Sequence, residues 1–241
     1  MYKNHKAFID PEKPYELLWR YMDWPRFFVL LKTKRLFFSS GEVLHSYDPF
    51  EGSLPKRELD IYLSKMPLDS VQRGQQHLRK EISASCWHYN DTESIAMWKL
   101  YAPTGNGIAI QTTIPEFKRA FERTSEDVYA GKVIYINYDT DTFYQDEPEG
   151  YSFLNGFVAF IHKRQQFEHE REYRAIVSKP IEAGQSRPGI EIEVDLSLLV
   201  KRVVVAPKTL SWMEQAVQSV LDELLPNVRA EKSIDDLTPI V

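Results

Sequence analysis

The segment Glu170-Arg171-Glu172-Tyr173-Arg174 packs carboxylates and guanidinium groups into a few residues. If a strand begins near Glu170, then Glu170, Glu172 and Arg174 share one face, with Tyr173 and Ala175 on the other. Carboxylates so spaced stand about 7 Å apart, so one could accept a proton while the other stabilises developing positive charge. A neighbouring arginine would hold a carboxylate ionised or clamp a phosphate. The competing reading is a charged, solvated helix end with local ion pairs.

Three other groups carry possible chemistry. Ser83 and Ser85 flank Ala84 on a predicted strand, so both hydroxyls face one side, where they could position a carboxylate or form an ordinary strand edge. Arg20 sits between Trp19 and Tyr21, and burying it is costly unless it pairs with Asp48, Glu51 or Glu172, or meets an anion. Tyr47-Asp48-Pro49-Phe50-Glu51-Gly52 is a turn in which Glu51 could simply brace the loop. Cys86 has His88 two residues away, but a lone buried cysteine is usually inert.

Several familiar chemistries have no sequence basis. There is no Gly-x-Gly-x-x-Gly after a strand, no Gly-Lys-Ser/Thr loop, no cysteine pair, no His-Glu-x-x-His and no Gly-x-Ser-x-Gly. The 30 basic and 35 acidic residues give a net charge of −5 without long runs of one sign, so no broad basic surface for duplex nucleic acid is indicated. One cysteine rules out an internal disulfide and fits a cytoplasmic setting. No apolar run approaches a membrane span, and the start of the chain lacks a signal-peptide core.

The elements that must position these groups follow from periodicity and punctuation. Residues 1–15 read as an extended lead-in. A strand over Trp19–Met22 leads to Asp23 as N-cap and Pro25 in the first turn of a short helix, and Arg35–Ser39 returns as a strand. Residues 40–55 read as a loop, and 56–80 as polar helices broken near Pro67. Strands are predicted at Ile82–Trp87, Ile108–Thr112, Lys132–Tyr138, Glu172–Ser178, 190–194 and 203–205. Helices are predicted after Asp91 or Thr92, from Pro115, over 152–168, and after Ser211, where Glu214 would complete a capping box. The mixture lacks regular βαβ alternation. It predicts an α+β fold, a single domain over 1–241 with a mixed, mainly antiparallel sheet and flanking helices.

Four pieces in order resemble the bacterial and phage family of unknown function DUF2971. They are Leu18-Trp19-Arg20-Tyr21; Tyr47 to Gly52; Ser85-Cys86-Trp87 with Ala96-Met97-Trp98, Tyr101 and Gly107-Ile108-Ala109-Ile110; and Lys163 to Arg174. The likeness spans roughly residues 17–180, with 181–241 adding strands and a C-terminal helix. Tyr47 stands where the family usually has Asn. A weaker similarity is to the Arg–Ser–Glu ADP-ribosyltransferases. It implies that Arg20 contacts NAD, that Ser83 or Ser85 braces the catalytic Glu172, and that Glu170 activates the acceptor. It also implies that Tyr21, Trp87 or Trp98 stacks on nicotinamide. The stretch from Ser85 to Glu172 is longer than in such enzymes, so an extra strand and helix must fit between them.

Three functions remain open on these residues. The first is an NAD-cleaving transferase acting on a protein or nucleic-acid acceptor, as a toxin or phage-defence effector. The second is a Mg²⁺-dependent nuclease or phosphodiesterase using Asp48, Glu51, Glu170 and Glu172. The third is a non-catalytic protein-binding module, which requires Glu170 and Glu172 to be solvent-exposed.

Overall fold

The computed structural model describes residues 1–13, 17–103, 105–143, 156–182 and 184–234. In chain order the elements are β1 (Leu17–Asp23), α1 (Trp24–Thr33), β2 (Arg35–Ser40), α2 (Gly41–Tyr47), α3 (Lys56–Leu63), α4 (Leu68–Glu81) and β3 (Ile82–Tyr89). Then come α5 (Ile95–Tyr101), β4 (Gly107–Thr113), α6 (Ile114–Arg119), β5 (Tyr129–Lys132), β6 (Ile134–Ile136), α7 (Val158–Ile161) and β7 (His162–Arg164). A 3₁₀ turn (Gln165–Glu170) precedes β8 (Glu172–Ser178), followed by β9 (Gly189–Glu193), α8 (Leu196–Leu199), β10 (Arg202–Val205), α9 (Ser211–Leu224) and β11 (Ala230–Lys232). The fold is α+β, with a mixed, mainly antiparallel sheet.

The main sheet runs β11-β10-β4-β1-β3-β2-β9, with β8 on the other edge of β3 and β5 beyond β8. Among the described residues, only β10 and β11 pair in parallel within it. β6 and β7 form a separate parallel pair. The opening strand–helix–strand follows its sequence signals: the Asp23 side chain accepts from the Arg26 backbone N–H at 2.8 Å, and Pro25 lies in the first turn of α1. Leu18, Met22, Phe27, Trp87, Phe117, Tyr173 and Val203 belong to the large core on one face of the sheet. Trp19, Tyr21, Met97 and Trp98 form a second cluster, and Ile82, Ala84, Phe160 and Ile176 a third.

β3 is the hinge of the topology. One of its edges pairs with β8 from Ile82 to His88. On its other edge, β1 pairs at Trp19↔His88 and Leu18↔Tyr89, and β2 pairs at Ser39↔Ala84 and Ser40↔Ser83. Ser85, Cys86 and Trp87 therefore face a gap where β1 and β2 diverge.

Some expectations change. Residues 41–47 are helical rather than loop: Ser40 Oγ caps α2 by accepting from the Val43 N–H. Gly41 is there for packing, since a Cβ would meet Phe160 at 2.5 Å. The helix expected over 152–168 shrinks to α7; its first residues, to 155, lie outside the described residues. From His162 the backbone extends to pair with β6. The aromatic spacing reflects burial all round α7 rather than a helical stripe. Ser94, not Asp91 or Thr92, caps α5. No side chain caps α9, so Ser211 and Glu214 form no capping box. The strand expected over 132–138 is divided into β5 and β6.

Candidate active site

A cavity of about 1000 Å³ opens at the gap between β1, β2 and β3. It is lined at one end by Arg20, Phe37 and Trp87, and at the other by Glu51, Lys163, Glu170, Glu172 and Arg174, with Cys86 and Tyr101 also on its wall.

Arg20 is the first β1 residue past the junction with β3, so its side chain enters the gap. Its guanidinium donates to Ser85 Oγ on β3 and to the Phe37 carbonyl on β2 at 3.2 Å, and it lies 5.8 Å from the centre of the Trp87 ring. Among the described residues, no carboxylate lies within ion-pair distance of Arg20. Asp48 pairs with Arg164 at 2.7 Å, while Glu51 and Glu172 pair with Arg174. Desolvation draws the Arg20 pKa down to about 10, which still leaves it cationic at neutral pH.

The acidic end is a buried network. Arg174 is fully buried; its two terminal nitrogens donate to the two Glu51 oxygens at 2.9 and 2.6 Å, and its Nε donates to Glu172 at 2.6 Å. Lys163 Nζ donates to Glu172 at 2.6 Å and to Glu170 at 2.5 Å. Burial disfavours the Glu172 carboxylate, but Arg174 and Lys163 outweigh it and hold its pKa well below the usual range. Glu170 moves the other way. Burial, and then a hydrogen bond and charge repulsion from Glu172, raise its pKa to about 7. Two cations face three carboxylates, and Glu170, which Lys163 shares with Glu172, holds a proton more readily than an ordinary carboxyl.

The local backbone differs from the expected strand. β8 starts at Glu172, and Arg171 adopts a left-handed conformation (φ 39°) after the 3₁₀ turn. That reversal brings Glu170 back beside Glu172, close enough to share a hydrogen bond, instead of two strand positions away. The Glu172 N–H donates to Tyr135 Oη at 2.8 Å, fixing the start of β8. His88 Nδ1 lies 2.6 Å from the Glu170 carbonyl, so it carries the ring proton; burial lowers the ring's pKa and keeps it neutral.

The serines stand elsewhere. Residues directly opposed across an antiparallel pair share a face. Glu172 opposes His88 and Arg174 opposes Cys86, while Ser85 opposes Ala175 and Ser83 opposes Val177. Ser83 and Ser85 thus face away from Glu172 and cannot brace it. Ser85 Oγ meets Arg20 and accepts from Trp87 Nε1 at 3.1 Å, whereas Ser83 Oγ is buried with no hydrogen-bond partner among the described residues. Tyr21 lines the cavity, and its Oη accepts from the Ser94 N–H at 2.8 Å. Trp98 does not line the cavity. It is buried edge-on against Tyr21, and its Nε1 donates to Glu93 at 3.0 Å.

Lys163 and Tyr101 were missed as site residues, although both occur in the motifs that carry the family resemblance. Tyr101 stands on the cavity wall, where burial and then the charge of Glu172 raise the pKa of its hydroxyl. Cys86 also lines the cavity, opposite Arg174 on β8; burial and then Glu172 push its thiol up to about 12, so it is no thiolate nucleophile.

These contacts also bear on the other two readings. The oxygens of Glu51, Glu170, Glu172 and Asp48 are turned to lysine and arginine, and among the described residues no three metal-ligating side chains are arranged to hold an ion. Glu172 is 5% exposed, whereas the binding-module reading requires it in solvent. Among the described residues, no helix is long and apolar enough to cross a membrane.

Residues 97–175 match the family described as Protein of unknown function (DUF2971). That stretch contains α5 from Met97 on, β4, Lys163 and the Glu170–Arg174 segment. Among solved structures, the one described as Thermus sp. 2.9 DarT in complex with NAD+ is similar over 95% of this chain and 100% of that chain, with a TM-score of 0.42 and 9% sequence identity. No curated protein matches the chain.

Proposed function

We propose that this chain is an ADP-ribosyltransferase-like enzyme that takes NAD as substrate and transfers ADP-ribose to a macromolecular acceptor, protein or nucleic acid. One observation carries the reading: Arg20, a cation with no carboxylate partner among the described residues, lines the same cavity as two adjacent carboxyls bridged by Lys163, Glu172 and Glu170. NAD matches that polarity: its central pyrophosphate is anionic, and the adjoining nicotinamide ribose becomes cationic as nicotinamide leaves.

Each residue then has a role. Arg20 binds the phosphates, anchored by Ser85 and the Phe37 carbonyl. Glu172 stays ionised and stabilises positive charge developing on the ribose. Glu170 accepts the proton of the attacking acceptor group, a task suited to a carboxyl that titrates at about 7. Tyr21 and Trp87 offer aromatic surface on the cavity wall. A defence or toxin role fits such chemistry.

The test is nicotinamide release and calorimetric NAD binding by the purified protein. Binding in the micromolar to millimolar range, with release abolished in Glu172→Gln, is expected. No binding and no release by the folded wild-type protein would overturn the reading.

A further inference from the structure

We infer that Lys163, rather than a serine of β3, is the positioning residue that holds Glu172 in place and directs the shared proton of the carboxyl pair to Glu170. The role assigned to the pair rests on the proposed transferase reading; the geometry of Lys163 does not.

Lys163 arrives by a route separate from the main sheet. It is the central residue of β7, which pairs with β6 (Tyr135↔Lys163). Tyr135 also receives the Glu172 N–H. The small β6–β7 sheet therefore fixes both the lysine and the backbone of the glutamate it serves. Lys163 is buried, at 8% exposure, and its ammonium is directed to its partners: Glu170 at 2.5 Å, Glu172 at 2.6 Å, Glu51 at 3.7 Å, and the Phe167 ring at 4.5 Å.

The asymmetry of the pair follows from counting cations. Glu172 receives both Lys163 and Arg174, whereas Glu170 receives Lys163 alone. The groups facing Glu170 are Lys163 and Glu172, with the Tyr101 and Tyr135 hydroxyls close enough to feel its charge and the His88 ring on its carbonyl. Without Lys163, Glu172 would keep one cation and stand beside a carboxyl with none. The proton would then be held more tightly by the pair, and Glu172 would lose part of the charge it needs. No serine hydroxyl can substitute, because Ser83 and Ser85 lie on the other face of β3.

The experiment has an arm without NAD. Carboxyl ¹³C chemical shifts of the free, ¹³C-glutamate-labelled protein, assigned with Glu170→Gln, should show Glu170 titrating near neutrality in the wild type, at about 7. The midpoint should move upward in Lys163→Met and in the polar variant Lys163→Gln, and stay in place in Ser85→Ala. A wild-type midpoint in the ordinary carboxylate range, or an unmoved midpoint in either folded lysine variant, overturns the inference. The second arm is the pH profile of nicotinamide release. Lys163→Met should shift its rising limb upward and lower kcat at least about tenfold with little change in KM, and Lys163→Arg should restore part of the rate. Equal rates in Lys163→Met and Lys163→Arg, with an unshifted limb, would also overturn it. If wild-type protein releases no nicotinamide, the transferase reading fails while the NMR titration still decides the role of Lys163.

Discussion

Arg20 and Glu172 line one cavity although their strands aim them at opposite faces of the sheet. Trp19 opposes His88 across β1 and β3, and His88 opposes Glu172 across β3 and β8, so Trp19 and Glu172 share a face. Arg20, next to Trp19, belongs to the other. The gap beside Ser85–Trp87 is what lets a residue of each face reach the same space.

Replacing Arg20 separates binding from stability. Arg20→Met keeps the volume but removes a charge-assisted contact worth about 1.5–3 kcal/mol to an anion, so NAD should bind about ten- to a hundredfold more weakly. Because Arg20 has no carboxylate to leave stranded, the melting temperature should not fall. Calorimetry and thermal melts of the same samples check both halves.

Glu172→Gln should abolish nicotinamide release while leaving NAD binding measurable. Gln preserves the shape, and Lys163 and Arg174 retain Glu170 and Glu51 as partners. Arg174→Ala strips the cation from two buried carboxylates and should cost about 3–5 kcal/mol, a fall of roughly 6–20 °C in melting temperature. A larger loss of stability in Glu172→Gln than in Arg174→Ala would contradict this ordering.

Glu170 links pH to both rate and stability. Activity should rise as pH increases through about 7, where the carboxyl loses its proton. Its folded pKa lies above the unfolded value of 4.5, so the folded state binds the proton more tightly. The stabilisation is present below pH 4.5 and lost as pH rises through about 7. Glu170→Gln should flatten that part of the stability profile, as measured by urea unfolding at a series of pH values.

The two serines should behave differently. Ser83→Ala removes a buried hydroxyl that has no partner and should be neutral or slightly stabilising, with normal turnover. Ser85→Ala removes a contact of Arg20 and should weaken NAD binding without the loss of kcat seen in Glu172→Gln. A large kcat loss in Ser83→Ala would show that it reaches the carboxylates by a rearrangement of β3.

Much of the frame was legible where local signals suffice. Asp23 and Pro25 announced α1, and the apolar runs marked β3, β8 and β10. Of the expected site residues, Arg20, Tyr21, Glu170 and Glu172 line the cavity while Ser83, Ser85 and Trp98 do not, and their partners were not legible. Nothing local tells that Glu51 closes on Arg174, or that Asp48 closes on Arg164. Glu170 was misplaced because Arg171 takes a left-handed conformation that its residue type does not advertise. The serine role failed through strand alternation, since Ser85 and Cys86 differ by one position and hence by a face.

The gap in the sheet also has a mechanical side. β1 and β4 pair from Leu17 to Asp23, and β3 and β8 from Ile82 to His88, so each half is a well-laced plate. Between the plates, the β1 lacing shrinks to Leu18↔Tyr89 and Trp19↔His88, with the Arg20 side chain as a cross-stitch to β2 and β3. The backbone pairing is thereby thinnest along one seam. A ligand that grips Arg20 on one side and Glu172 on the other would stiffen the molecule along that line.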